Sequence, residues 1–148
     1  MLISFQLETV LFTLYYPIDK GATTSKPQHL WFPEPRGLVA NGLTRASGQN
    51  FPSSLIESLI KSVADTTVIP AQVDAPLANV KDALPVLVFS HGDVSIGNWY
   101  SQLNGQLAAN GLIAAVVQHR DGSAAGTVVN YGNGTTRNVS LLIPSDVK

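Results

Sequence analysis

The sequence contains no cysteine, and charged residues make up only 13% of its 148 positions. The first absence excludes disulfide scaffolds, cysteine zinc sites and thiol nucleophiles. The second, with a formal net charge of -1 and Lys and Arg scattered along the chain, leaves no basic stripe for nucleic acid and no polybasic patch for an anionic membrane. No apolar run reaches the roughly 18 to 20 residues a membrane span needs, so no span is expected. Met1 to Val10 has no basic n-region, is interrupted by Glu8 and is followed by no small-residue cleavage site; no secretory signal is visible, and the segment reads as the start of a strand. Repeats and low-complexity tracts are absent. So is Gly-x-Ser-x-Gly, the pattern of a strained nucleophile elbow.

What is present is apolar material, 45% of the chain, enough for the core of one globular domain spanning 1–148. Thr9 to Tyr16 is rich in β-branched and aromatic residues and stops at Pro17, which predicts a strand. From Pro27 to Gly48 three prolines and three glycines punctuate the chain, which predicts an ordered loop pinned by Trp31 and Phe32. Ser54 and Glu57 have the spacing of a capping box, and Leu55, Ile56, Leu59, Ile60 and Val63 share one side of a helix expected from Ser53 to Ala64. Pro70 to Pro85 is a second proline-broken connector.

The second half is more regular. Val86 to Phe89 is a short continuous apolar run, the pattern of a strand buried on both faces of a sheet. After a turn over Gly92 to Gly97, Asn98 is placed to cap a helix in which Trp99, Leu103 and Leu107 repeat every four residues, closed by Asn110 and Gly111. Leu112 to Val117 is the next buried strand. Residues 86–117 thus form a βαβ unit with parallel strands and a right-handed crossover, and the fold class is α/β. One such unit leaves a sheet edge unpaired. Further on, Thr127 to Val129 and Val139 to Ile143 flank a turn-prone Gly132-Asn133-Gly134, as a hairpin or a surface excursion. Asn133 and Asn138 begin glycosylation acceptor triplets, which matter only in an exported protein.

Ser90-His91-Gly92-Asp93 follows a buried strand, where an acyl-transfer enzyme of the α/β-hydrolase type places its oxyanion loop. Backbone N–H groups there stabilise the negative oxygen that acyl transfer creates. On that reading Gly92 shapes the turn and lets substrate approach, and the Asp93 N–H is the donor. The alternative is a plain strand-to-helix turn. His119-Arg120-Asp121 at the end of the second strand reads as a structural, hydrogen-bonded corner rather than a catalytic group. His29, His91 and His119 lie far apart with no ligand-spaced partners, so no metal site is expected. The glycines from 132 to 134 lack the third glycine and preceding strand of a dinucleotide fingerprint. Trp31, Trp99, Tyr15 and Tyr16 read as core rather than as the lining of a lipid pocket.

Several linked words carry a resemblance: Leu84 to Gly92 (LPVLVFSHG), Tyr100 to Leu103, Gly111, and Ala115 to Ala124 (AVVQHRDGSA), with Leu14 to Pro17, Trp31 to Arg36 and Ile69 to Leu77 upstream. In this order they resemble the platelet-activating-factor acetylhydrolase family, most closely its fungal members, over nearly the whole chain. The resemblance implies a partial α/β-hydrolase fold, the N-terminal half of its sheet. It implies a metal- and cofactor-free serine esterase that removes short acyl groups from the sn-2 position of phospholipids. The resemblance places the nucleophile in a Gly-x-Ser-x-Gly elbow on a later strand, followed by an Asp and a His, and that elbow is absent from this chain, so the expectation is a fragment, inactive alone, with no catalytic triad among His91, His119 and Asp121. Two residues depart from the family pattern. Asp93 stands where relatives commonly have an apolar residue, and Gln118 where they commonly have Glu. A non-catalytic lipid-binding or interaction module, and an esterase of another α/β-hydrolase family, are the alternatives.

Overall fold

The computed structural model describes residues 10–50, 52–131 and 134–146. The expected strand start over Met1 to Val10 lies almost wholly outside the described residues, as do Asn133 and the tip of the Gly132 turn. Strand β1 (Leu11–Tyr15) is followed by helices α1 (Arg36–Ser47) and α2 (Ser53–Ala64), strand β2 (Val86–Ser90), helix α3 (Ser101–Ala109) and strand β3 (Ile113–Gln118). Strands β4 (Gly126–Asn130) and β5 (Thr136–Ser140) come last.

Strand β3 is the centre of a three-stranded sheet of order β1-β3-β2. It pairs parallel to β2, with Ser90 opposite Val117, and antiparallel to β1, with Leu11 opposite Gln118. The parallel βαβ unit expected at 86–117 is therefore present. β4 and β5 form a separate antiparallel hairpin, and Asn138 lies exposed in it.

Paired residues share a face, which divides the sheet cleanly. Tyr15, Ala114 and Val116 point to one side and pack with Ala108 of α3 and Ile69, flanked by Trp31, Ala71 and Phe89. On the other side stand Phe12, Leu14, Val86 and Val88, between 47% and 68% exposed. The expectation that Val86 to Phe89 is buried on both faces is corrected: β2 is an edge strand with an uncovered side. Its continuous apolar run matches the chemistry of a two-sided burial that these residues do not supply.

The connectors hold more structure than proline content suggests. Residues 36–47, expected as loop, form α1. The prolines end before it begins, and Arg36 at its start is buried, paired with Asp65 at 2.9 Å and with Glu34. Gly42, a poor helix former, allows the helix to close on the corner after β3: a Cβ there would lie 1.8 Å from the Ala125 carbonyl oxygen. Gly48 ends the helix in the left-handed region, its N–H bonded to the Arg45 carbonyl. Trp31 N–H to Thr67 O and Ile69 N–H to His29 O, both 2.8 Å, stitch the two proline-rich segments together.

Two further expectations are corrected. α2 runs over Ser53–Ala64, but its N-cap is Pro52 without a side-chain cap. The capping box does not form because Ser54 already lies inside the first turn, and Glu57 instead pairs with Lys61 at 2.9 Å. In the second helical segment a 3-10 turn at Gly97–Tyr100 precedes α3, and the buried positions are Ser101, Asn104 and Ala108. Leu103, the middle member of the apolar repeat, is half exposed. Trp99 belongs to the preceding turn and packs with Phe32, Val39, Ile96 and Ala125 in a second apolar cluster.

The two helical glycines make a paired test. Gly42→Ala is expected to cost about 3 kcal/mol or more, because the obstruction is backbone that side-chain motion cannot clear. Gly105→Ala, in α3 with nothing within 4 Å of the added Cβ, is expected to stabilise by roughly 0.5 to 1 kcal/mol. Equilibrium urea denaturation of the two variants measures both.

Candidate functional site

The carboxyl ends of parallel strands β2 and β3 are where an open α/β sheet offers a crevice. Strand β2 ends at Ser90, and the chain then dips inward. His91 is 5% exposed, whereas Gly92 and Asp93 are exposed. Gly92 to Ser95 forms a turn closed by Ser95 N–H to Gly92 O at 3.2 Å. The residue carrying positive φ in it is Val94, at 60°, not Gly92.

A β-branched residue in the left-handed region is strained, so the surroundings must hold it. The Val94 N–H donates to Ser123 O at 2.7 Å, the Ala125 N–H to Ser95 O at 3.3 Å, and the Val94 side chain packs on the cluster around Ile96. Gly92 has another property. A Cβ built on it would meet only the Tyr100 hydroxyl, at 3.9 Å, so the space above its backbone is open.

The facing wall is the corner after β3. Asp121 accepts from the Ser123 N–H at 2.9 Å and hydroxyl at 2.7 Å, and these two bonds hold its carboxyl below the usual range. Gln118 ties the corner to the rest of the molecule. Its Oε1 accepts from the buried Gly97 N–H at 2.9 Å, and its Nε2 donates to the Thr127 hydroxyl at 2.9 Å. That hydroxyl donates in turn to the His119 carbonyl at 2.7 Å. A neutral amide serves here because it both accepts and donates. A carboxylate could not supply the donor to Thr127.

The histidines treated as remote in the sequence meet in space. His91 and His119 stack edge to face with centroids 4.4 Å apart, and His119 Nε2 lies 2.9 Å from Ser90 Oγ. The parallel register accounts for this: Ser90 lies opposite Val117, so the residues just beyond each strand end are neighbours. The signal was available in the βαβ pattern once its register was known. His119 Nδ1 lies 3.9 Å from Asp121 Oδ2, an ion-pair distance longer than a hydrogen bond. His29 is elsewhere, on the wall of a cavity of about 750 Å³ also lined by Tyr15 and Tyr16.

His91 has no nitrogen to spare for a metal. Nδ1 is 2.9 Å from Gly92 O, and Nε2 lies 3.4 Å from the His119 N–H. Among the described residues no group of three His, Cys, Asp or Glu side chains is placed to hold a metal ion. Burial, above all, depresses the His91 pKa below its ordinary value of 6.5. The bond to Gly92 O and the Asp121 charge oppose that shift, and the nearby His119 reinforces it.

A parallel strand pair, a crossover helix and an inward-turned His-Gly at the strand's carboxyl end define a mixed α/β protein with one exposed backbone turn at its crevice. The family follows from comparison. The family model for platelet-activating factor acetylhydrolase, isoform II, matches residues 1–140, and the chain belongs to that family. It is 35% identical over 114 residues to a platelet-activating factor acetylhydrolase of Cavia porcellus, covering 77% of this chain and 24% of that protein. It is 33% identical over 125 residues to a putative phospholipase A2 of Schizosaccharomyces pombe, covering 82% of this chain and 27% of that protein. A platelet-activating factor acetylhydrolase of Canis lupus familiaris is 31% identical over 77% of the chain. The chain thus spans about a quarter of the length of the curated relatives it matches.

Gln118→Leu removes both bonds at once and strands the buried Gly97 N–H. We expect a loss of about 1 to 3 kcal/mol, and a smaller one for Gln118→Glu, which keeps the acceptor. Chemical denaturation of both variants checks the order.

Proposed function

We propose that this chain is the oxyanion-loop part of a phospholipid ester hydrolase that removes short acyl groups from the sn-2 position. The observation that carries the reading is the Asp93 backbone N–H. It lies in an exposed turn at the strand's carboxyl end and has no protein acceptor among the described residues, while the open space over Gly92 leaves room for an ester carbonyl to approach. When a nucleophile adds to that carbonyl, negative charge moves onto its oxygen, and a preset N–H stabilises that charge without reorganising. Asp93 is exposed, so water screens the carboxylate that would otherwise oppose the charge.

The family name and the names of the relatives support the substrate class. No Gly-x-Ser-x-Gly occurs in the 148 residues, so the nucleophile and the second oxyanion donor must come from elsewhere and the chain alone does not turn over. We read 1–148 as a single, truncated α/β-hydrolase domain. The uncovered face of Phe12, Leu14, Val86 and Val88 fits a sheet that a longer chain would cover. The same face, with the edge of β2 that no strand pairs among the described residues, supports a second reading: a non-catalytic lipid-binding or interaction module that pairs with a partner through that edge.

With p-nitrophenyl acetate or a short-acyl phospholipid, the purified chain is expected to show no turnover above buffer. Turnover abolished by a serine-directed reagent would overturn the inactivity claim. Transcript sequence beyond the Lys148 codon is expected to encode a Gly-x-Ser-x-Gly, and its absence there would remove the esterase-part reading. Elution as a well-behaved monomer with cooperative unfolding would count against the edge-pairing module.

A further inference from the structure

A trans peptide is planar, so its N–H points opposite to its C=O. The one cis bond among the described residues is Glu34-Pro35, so the Gly92–Asp93 peptide is trans and whatever holds the Gly92 oxygen also aims the Asp93 N–H. Two donors hold it. The Ser95 N–H closes the turn at 3.2 Å, and His91 Nδ1 approaches at 2.9 Å. A carbonyl oxygen only accepts, so Nδ1 must carry a proton. Nε2 faces the backbone N–H of His119, which only donates, so Nε2 must be bare. The two contacts select one tautomer of the neutral ring.

We propose that His91 is a positioning residue: its neutral ring, protonated on Nδ1, grips the Gly92 carbonyl and thereby sets the Asp93 N–H facing outward. The role rests on the oxyanion reading for its purpose, but not for its geometry. A second proton would go onto Nε2, opposite the His119 N–H, and the two hydrogens would repel. Protonation therefore breaks the contact that anchors His91 to the corner after β3 and displaces the ring, which keeps its Nδ1 proton on the Gly92 carbonyl and carries that peptide with it. Burial, which depresses the His91 pKa, keeps the ring in the working form through neutral pH.

The titratable groups facing His91 come from several elements. They are His119 and Asp121 from the corner after β3, Asp93 in the turn itself, and Tyr100 across Gly92. The test must separate His91 from His119. His91→Asn does so, because the asparagine amide places a donor near the position of Nδ1 but cannot ionise, and His119 is left in place. His91→Phe removes the donor altogether.

The experiment uses the ¹⁵N-labelled 148-residue chain and no substrate. Long-range ¹H–¹⁵N spectra at about pH 7 should show His91 protonated on Nδ1 only. As the pH is lowered below about 6.5, the Asp93 and Ser95 amide peaks should move with the His91 titration. In His91→Asn they should lie near their wild-type positions at neutral pH and lose, on acidification, the movement that follows His91. In His91→Phe they should be displaced at every pH. A His91 ring protonated on Nε2, Asp93 and Ser95 peaks that stay fixed while His91 titrates, or peaks that move in His91→Asn over the same pH range and as far as in the wild type would each overturn the proposal. Should His91→Phe not fold, the wild-type titration and His91→Asn decide the matter. Because substrate plays no part, these outcomes bear on His91 alone, whereas the esterase reading stands or falls on the assay and downstream sequence above.

Discussion

The side-chain amide of Gln118 is the tie on which the rest of this structure depends. It sits at the end of the central strand and reaches two elements: the Gly97 N–H, where the lead-in to α3 begins, and Thr127 at the start of the hairpin. Thr127 passes the connection back to the His119 carbonyl. With those points fixed, the turn after β2 and the corner after β3 are held at a spacing that lets Val94 bond to Ser123 and Ala125 to Ser95. These bonds offset the strain of a valine at φ 60° and fix the turn whose outer surface presents Gly92 and Asp93. One neutral amide thus links fold to site, and its two-way hydrogen bonding gives a physical reason for Gln at this position.

The parts of the fold that were legible in the sequence are those where local pattern and final environment agree. α2 shows its 3.6-residue period, and the βαβ unit shows two apolar runs around a helix with a glycine stop. α1 was not legible because its sequence argues against itself. Gly37 and Gly42 weaken a helix locally, and the reason for Gly42, the close approach of the Ala125 carbonyl, lies 83 residues away along the chain. The solvent exposure of Val86 and Val88 was equally hidden, since an apolar run records the burial a strand is suited to and not whether neighbours supply it.

The site divides the same way. His-Gly after a strand marked the turn, and the family words around it agreed with the family match. The meeting of Ser90, His91 and His119 needed the strand register, because two residues beyond paired strand ends become neighbours only when the pairing is parallel and unshifted. The left-handed residue could not be found from composition, since the turn contains a glycine that does not use its freedom and a valine that spends strain. Local chemistry named the right segment, and long-range contacts decided which of its atoms face solvent.

Native-state hydrogen exchange read at single amides tests the central claim most directly, that the Gln118 tie makes the site turn part of the β3 core. The account predicts that the Gly97 and Val94 amides exchange as slowly as those of Ala114 and Val116, through unfolding of the whole. Rapid exchange at Gly97 and Val94 while β3 stays protected would contradict it, and would make the turn a loosely attached loop.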